Sequence, residues 1–224
     1  ISEVDTLVKA VPEVFDVPEA STLIFLPLAH VFGRLIQVAM LRGEVTIGHC
    51  PNPTALLKDL GSFKPTFLLA VPRVFEKVFN GSAAKAHEAS PVKGKIFDRA
   101  AATAIAYSEA LDHGHVSKGL SIKHGLFDKL VYSKLRHAMG GRVTHAISGG
   151  AALGSRLGHF YRGIGLIILE GYGLTETTAG STLNLPSALK IGSVGRPLPG
   201  TGARIESDGE ILLKGPHVFA GYWN

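Results

Sequence analysis

Apolar and polar positions along the chain alternate between short continuous apolar runs and longer stretches of helical period. Ser2 to Ala10 carries Val4, Leu7 and Val8 on one face, with Val11 beyond, before Pro12 removes a backbone donor, so a helix is predicted there. Thr22 to Leu26 is a short, near-continuous apolar run of strand length, the pattern of a strand covered on both faces. Val31 to Leu41 follows as a helix ending at Gly43, and Glu44 to Gly48 as a second strand. Asn52-Pro53 offers an N-cap and a proline at the first helical position of a helix that Gly61 is expected to close. Thr66 to Ala70 is a third buried strand, and Pro72 opens another helix.

From Asn80 to Ser121 the pattern is Ala-rich and helical, broken at Pro91 and Gly114. Phe97, Ala101, Ala104 and Leu111 share one side, which predicts a helical pair packed on a sheet. Leu126 to Met139 places Phe127, Leu130, Val131, Leu135 and Ala138 on one side and Lys129, Tyr132 and Arg136 on the other. That second face reads as a solvated surface or, alternatively, as one that meets anionic lipid. Val143 to Ile147 and Leu166 to Leu169 are two more apolar runs. Strands alternating with helices at this spacing predict an α/β fold, parallel sheets with helices on both faces. The tail differs: Ala203 to Glu206, Asp208-Gly209 and Glu210 to Lys214 form a hairpin signature, so a small antiparallel β unit is expected at the C-terminal end.

Composition narrows this only in part. With 224 residues, 46% of them hydrophobic, the chain can bury a sizeable core as one domain or two. The single cysteine, Cys50, excludes an internal disulfide framework and fits a reducing compartment, which points to the cytoplasm. A net charge of +5 suits a polyanionic ligand, nucleic acid or an anionic membrane equally. Nucleic acid is disfavoured, because no basic run is interleaved with aromatics and no zinc-type cysteine spacing exists.

Candidate chemistry concentrates between Ser148 and Gly180. Two glycine-bearing loops, Ser148 to Gly154 and Gly171 to Gly180, each follow an apolar run and would sit beyond the carboxyl ends of parallel strands, where open α/β sheets bind ligands. Bare backbone N–H groups and hydroxyls at such places hold phosphate, although glycine after a strand is also ordinary turn chemistry. The second loop adds Tyr172, Thr175 and Glu176: a π-face, a hydroxyl and a carboxylate within five residues.

Gly171-Tyr172-Gly173-Leu174-Thr175-Glu176 resembles the adenylate-binding motif of the acyl-adenylate-forming (AMP-binding) ligases, and with the upstream Ser148 to Leu153 stretch it is most similar to the long-chain fatty-acid:CoA ligases. Three further stretches resemble that family in order and spacing: Leu26 to His30, Val71 to Val78, and Gly192 to Gly200 followed by Gly209-Glu210-Ile211 and Gly221 to Asn224. The resemblance implies an enzyme that activates a fatty acid with ATP as acyl-AMP and passes it to coenzyme A. Within it, Glu176 would ligate Mg²⁺, Thr175 would face the α-phosphate and Tyr172 the adenine. Gly149, Gly150, Ala151, Gly171 and Gly173 would lie close to the nucleotide, and His30 would stand between acyl channel and phosphate. A helix-start carboxylate, an N-cap and a structural histidine are the plainer alternatives for Glu176, Thr175 and His30.

The family's triphosphate loop, ribose-binding aspartate and C-terminal lysine domain are not in this sequence, which also starts without Met. It therefore reads as an excised central piece, inactive alone. Residues 1–142 would be an α/β subdomain with acyl-pocket elements, 143–191 the adenylate-binding part of a second, and 192–224 the start of a β subdomain. An acyl-AMP ligase serving a carrier protein, an aryl or short-chain ligase, and a non-catalytic piece are the alternatives; a homodimer and peripheral membrane contact stay open.

Overall fold

A computed structural model describes residues 2–223, apart from the side chain of Ser2; Ile1 and the Asn224 of the last resembling stretch lie outside the described residues. Helices α1 (Ser2–Ala10) and α2 (Pro12–Phe15) lead into β1 (Ser21–Ile24), α3 (Val31–Arg42), β2 (Thr46–His49), α4 (Leu56–Phe63) and β3 (Phe67–Ala70). Then come α5 (Pro72–Ala89), α6 (Pro91–Asp112) and α7 (Lys118–Phe127), a π turn over Asp128–Tyr132, and α8 (Ser133–Ala138). Next are β4 (His145–Ser148), α9 (Ser155–Gly163) and β5 (Ile167–Tyr172). The short strands β6 (Thr182–Leu183) and β7 (Arg196–Pro197) and the hairpin β8 (Gly202–Ile205) with β9 (Ile211–Lys214) follow.

β1 pairs in parallel with β2, and β3, β4 and β5 run parallel in that order; β6 and β7 extend the second sheet in antiparallel fashion. The two parallel groups adjoin. The Thr66 N–H donates to the Ser21 carbonyl at 2.9 Å, and the buried Thr22 hydroxyl donates to the Phe67 carbonyl at 3.0 Å. Alternation explains why β3 is apolar throughout. Phe67 and Leu69 enter a core with α1, α2 and α3, whereas Leu68 and Ala70 enter a second core with α5, α6 and α9. Both faces are thus covered, each fully buried large side chain contributing about 1.5–3 kcal/mol relative to exposure.

Three expectations need correction. Gly61 does not close α4, which continues to Phe63 and ends at Lys64 in the left-handed region (φ 54°). Buried Leu56 and Leu60, with Phe63 against the same core, outweigh the roughly 1 kcal/mol that an internal glycine costs. Leu111 does not join Phe97, Ala101 and Ala104 in the core; it is exposed near the end of α6. The assignment of faces over Leu126 to Met139 also fails. Tyr132 is fully buried, its hydroxyl donating to the Ala100 carbonyl at 2.7 Å, while Leu130 and Ala138 are exposed. Arg136 reaches the Asp128 carboxylate and the Ile164 carbonyl, both at 2.7 Å. The π turn widens one turn by a residue, so the helical phase read across it is shifted. The hairpin forms with Ile205 opposite Ile211 and Gly209 at φ 92° in its turn.

Candidate active site

Parallel strands direct their carboxyl ends to one side, and the segments leaving β1, β4 and β5 there enclose a cavity of about 310 Å³. Of the residues marked in the sequence, His30, Gly149, Gly150, Gly171, Tyr172, Gly173, Thr175 and Glu176 line this cavity. Ala151 does not; it is exposed one residue beyond. Exposed His30, Gly150 and Thr175 form the mouth, and buried Leu7, Leu35, Ile36, Leu183 and Leu198 form the inner wall.

Gly171 and Tyr172 belong to strand β5, opposite Leu183 and Thr182, so the second loop begins at Gly173. A Cβ on Gly173 would collide with the Ala179 carbonyl, which requires glycine there. The loop makes one 3₁₀ turn over Thr175–Thr177, in which the Thr177 hydroxyl accepts from the Leu174 N–H at 2.9 Å. Capping therefore falls to Thr177, and Thr175 stays exposed at the mouth. Thr178 and Ala179 follow at φ 55° and 78°, a backbone conformation that costs non-glycine residues of order 1 kcal/mol each.

Chain far along the sequence holds this loop. The Thr178 hydroxyl donates to the His217 carbonyl at 2.9 Å, the Phe219 N–H donates to the Glu176 carbonyl at 2.8 Å, and the Tyr222 hydroxyl donates to the Glu176 carboxylate. The Tyr222 bond holds the Glu176 carboxyl below its usual range, keeping it ionised. An ionised, solvent-accessible carboxylate fits a hard cation such as Mg²⁺, which commonly takes one or two protein oxygens beside phosphate and water.

In the first loop Gly150 adopts φ 84°, which glycine alone tolerates freely. The loop is fixed by Glu170, whose buried carboxylate accepts from the Leu153 N–H at 2.8 Å. The Glu170 side chain thereby ties β5 to the first loop. A carboxylate directly after the run Leu166 to Leu169 was the available signal, because a charge inside a covered sheet needs a partner. His30 caps α3, its Nδ1 accepting from the Phe32 N–H at 3.2 Å, so the neutral ring carries its proton on Nε2.

Sequence reasoning assigned no role to two polar groups on the cavity wall, Glu3 and Ser148. Both are buried, and neither the Glu3 Oε1 nor the Ser148 hydroxyl has a partner among the described residues. Ser148 opens the glycine loop and could have been marked. Glu3 lies 145 residues earlier, in a helix whose apolar spacing gives no hint of a site.

The model of the AMP-binding enzyme family matches residues 2–223, and the chain belongs to this family of AMP-binding enzymes. Long-chain-fatty-acid CoA ligase FadD15 of Mycobacterium bovis is 53% identical to it over 201 residues, covering 90% of this chain and 33% of the relative. Long chain acyl-CoA synthetase 4 of Arabidopsis thaliana is 36% identical over 241 residues, covering 100% and 35%. The chain thus spans about a third of the length of the curated relatives it matches. E. coli MenE with bound OSB-AMS shares the fold at a TM-score of 0.62 and 20% identity, covering 99% of this chain and 35% of that one. Bacillus subtilis O-succinylbenzoate coenzyme A synthetase, solved with ATP and magnesium ion, does so at 0.59 and 18%, covering 99% and 38%.

Proposed function

We propose that this chain is the central part of an ATP-dependent fatty-acid:CoA ligase, which converts a carboxylate to acyl-AMP and then to a thioester. The observation that carries the proposal is one cavity at the strand ends, shared by the glycine loop after β4, the Gly171 to Glu176 stretch and His30. The long-chain ligases among the relatives support the fatty acid as substrate.

A carboxylate is a poor acylating agent because oxide is a poor leaving group; its attack on the α-phosphorus of ATP supplies AMP as a better one. Negative charge then gathers on the α-phosphate and the departing pyrophosphate, and oriented donors lower that barrier. Thr175 directs its hydroxyl to the α-phosphate, and the backbone of Gly149 and Gly150 approaches the nucleotide without side chains in the way. The Tyr172 ring lies against the adenine, a contact of about 1–3 kcal/mol that does not discriminate among bases. Glu176 holds Mg²⁺, which supplies charge neutralisation at the phosphates when bound. His30 steers the carboxylate; it is not needed as a base, because a fatty carboxylate is already ionised at neutral pH. Gly171 and Gly173 let β5 and its loop pass close to their neighbours, and Ala151 continues the first glycine loop outside the cavity.

Coenzyme A enters in the second half, as acceptor. Residues 192–224 belong to a β subdomain completed by the rest of the full-length protein. We place that protein in the cytoplasm. Among the described residues no helix is long and apolar enough to cross a membrane. Support for a peripheral contact with anionic lipid comes from α7, which exposes Ile122 and Leu126 beside Lys118 and Lys123. The test is a fatty-acid panel on the full-length protein, with pyrophosphate, AMP and thioester measured separately. All three should form with long-chain acids. AMP without thioester would indicate another acceptor, and release only with aryl or short acids would change the substrate class.

A further inference from the structure

The loop that carries Thr175 and Glu176 holds a shape that its own residues disfavour. Thr178 and Ala179 are consecutive non-glycine residues at positive φ, and such a backbone persists only where surrounding structure imposes it. Part of that structure lies 36 to 39 residues further on, at His217, which is 4% exposed and meets the loop at two points. Its carbonyl accepts from the Thr178 hydroxyl at 2.9 Å. Its Nε2 lies 3.2 Å from the hydroxyl of Ser181, a residue with no exposed surface. The Ser181 N–H in turn donates to the Tyr172 carbonyl at 2.9 Å, so the ring grips the loop where its end closes on β5.

The other edge of the ring faces the hairpin. Nδ1 lies 3.5 Å from the Thr201 hydroxyl, directly before β8. Gly215 makes room for the ring to fold back, since a Cβ there would stand 2.6 Å from Nδ1. Burial holds the imidazole below the usual histidine range, so near neutrality it is uncharged. One nitrogen then donates and the other accepts, and hydroxyls can answer in either sense. A movement of Ser181 away from the ring would leave a buried nitrogen and a buried hydroxyl unpaired, which fixes the loop end more firmly than apolar packing would. His217 is not among the residues that line the cavity.

Resting on the ligase assignment above, we propose that His217 is a positioning residue for adenylate formation: through Ser181 and Thr178 it holds the loop so that Thr175 and Glu176 are presented to the nucleotide phosphates.

The test uses the full-length protein and reads the melting temperature, the KM values for ATP and for fatty acid in pyrophosphate release, and the Kd for AMP alone by calorimetry. His217→Leu keeps bulk without the bond, and Ser181→Ala removes one oxygen. Each should raise the KM for ATP and the Kd for AMP about three- to tenfold and leave the KM for fatty acid unchanged. His217→Gln, whose amide reaches about as far as Nε2, should recover most of the loss. The double variant His217→Leu with Ser181→Ala should be no worse than either alone, because both remove the same bond. Ser181→Ala keeps the test standing where His217→Leu does not fold. A lowered melting temperature with ATP KM and AMP Kd unmoved would make the ring merely structural and overturn the proposal. Additive losses in the double variant, or His217→Gln no better than His217→Leu, overturn it too, and all these outcomes leave the ligase assignment in place. Wild-type protein that releases no pyrophosphate with any acid overturns the ligase assignment and this role with it.

Discussion

At the mouth of the cavity His30 and Thr175 are exposed and Glu176 is half-buried, and two of these are engaged by the protein itself: His30 caps α3, and Glu176 accepts from Tyr222. On the inner wall Glu3 and Ser148 are buried and have no partner among the described residues. Water can satisfy whatever the mouth residues leave unmade, so placing them there costs little and they can be exchanged for ligand contacts. The wall offers no such reservoir, and a polar group there must find a partner or give up its charge. Variants at the mouth should therefore act chiefly on chemistry, and variants at the wall on stability.

The largest effect is expected from Glu176→Ala. In the full-length protein it should slow adenylate formation about 10²- to 10³-fold while the melting temperature stays near wild type, because the residue is not among the buried ones of the core. Unchanged Mg²⁺-dependent turnover would remove Glu176 from the metal site.

At the wall, Glu3→Gln should act through pH. A carboxyl with a folded pKa of about 7, against 4.5 when unperturbed, binds its proton more tightly in the fold. The fold is unpenalised below about pH 4.5 and loses stability as pH rises through 7. The glutamine variant should thus match wild type near pH 4 and exceed it at pH 8 by up to about 3 kcal/mol. His30, Tyr172 and Glu176 are the other titratable groups on the cavity and are present in both proteins, so they cancel in the comparison. Urea midpoints at the two pH values measure the gap; a difference independent of pH would show that Glu3 ionises freely.

A smaller change is expected where β5 is bonded to the first glycine loop. Glu170→Ala leaves the buried Leu153 N–H unpaired and should cost about 2 kcal/mol, with Glu170→Gln recovering most of it. Equal melting temperatures for the two variants would mean that the bond contributes nothing to the fold.

Most of the fold was legible in the chain because its signals are local. Covered strands appear as largely apolar runs, Pro72 and Pro91 open helices, and Asp208-Gly209 turns the hairpin. The stretches that meet at the cavity could likewise be marked in advance, since glycine next to Tyr172, Thr175 and Glu176 is a compact pattern. Two of the errors arose where a simple local rule was overridden. Phe63 against the core carries α4 past Gly61, and a π turn rotates Tyr132 inward to the Ala100 carbonyl.

The sequence by itself determined the alternation of strand and helix, the family, and the short segments at the strand ends, because periodicity and turn chemistry act over a few residues. Only the tertiary structure decided that the Glu170 side chain bonds β5 to the first loop, that Ala151 lies outside the cavity, and that Glu3 comes to lie behind Gly180. Those outcomes depend on which buried polar groups find partners, and partners are assigned only when elements far apart in the chain have packed together.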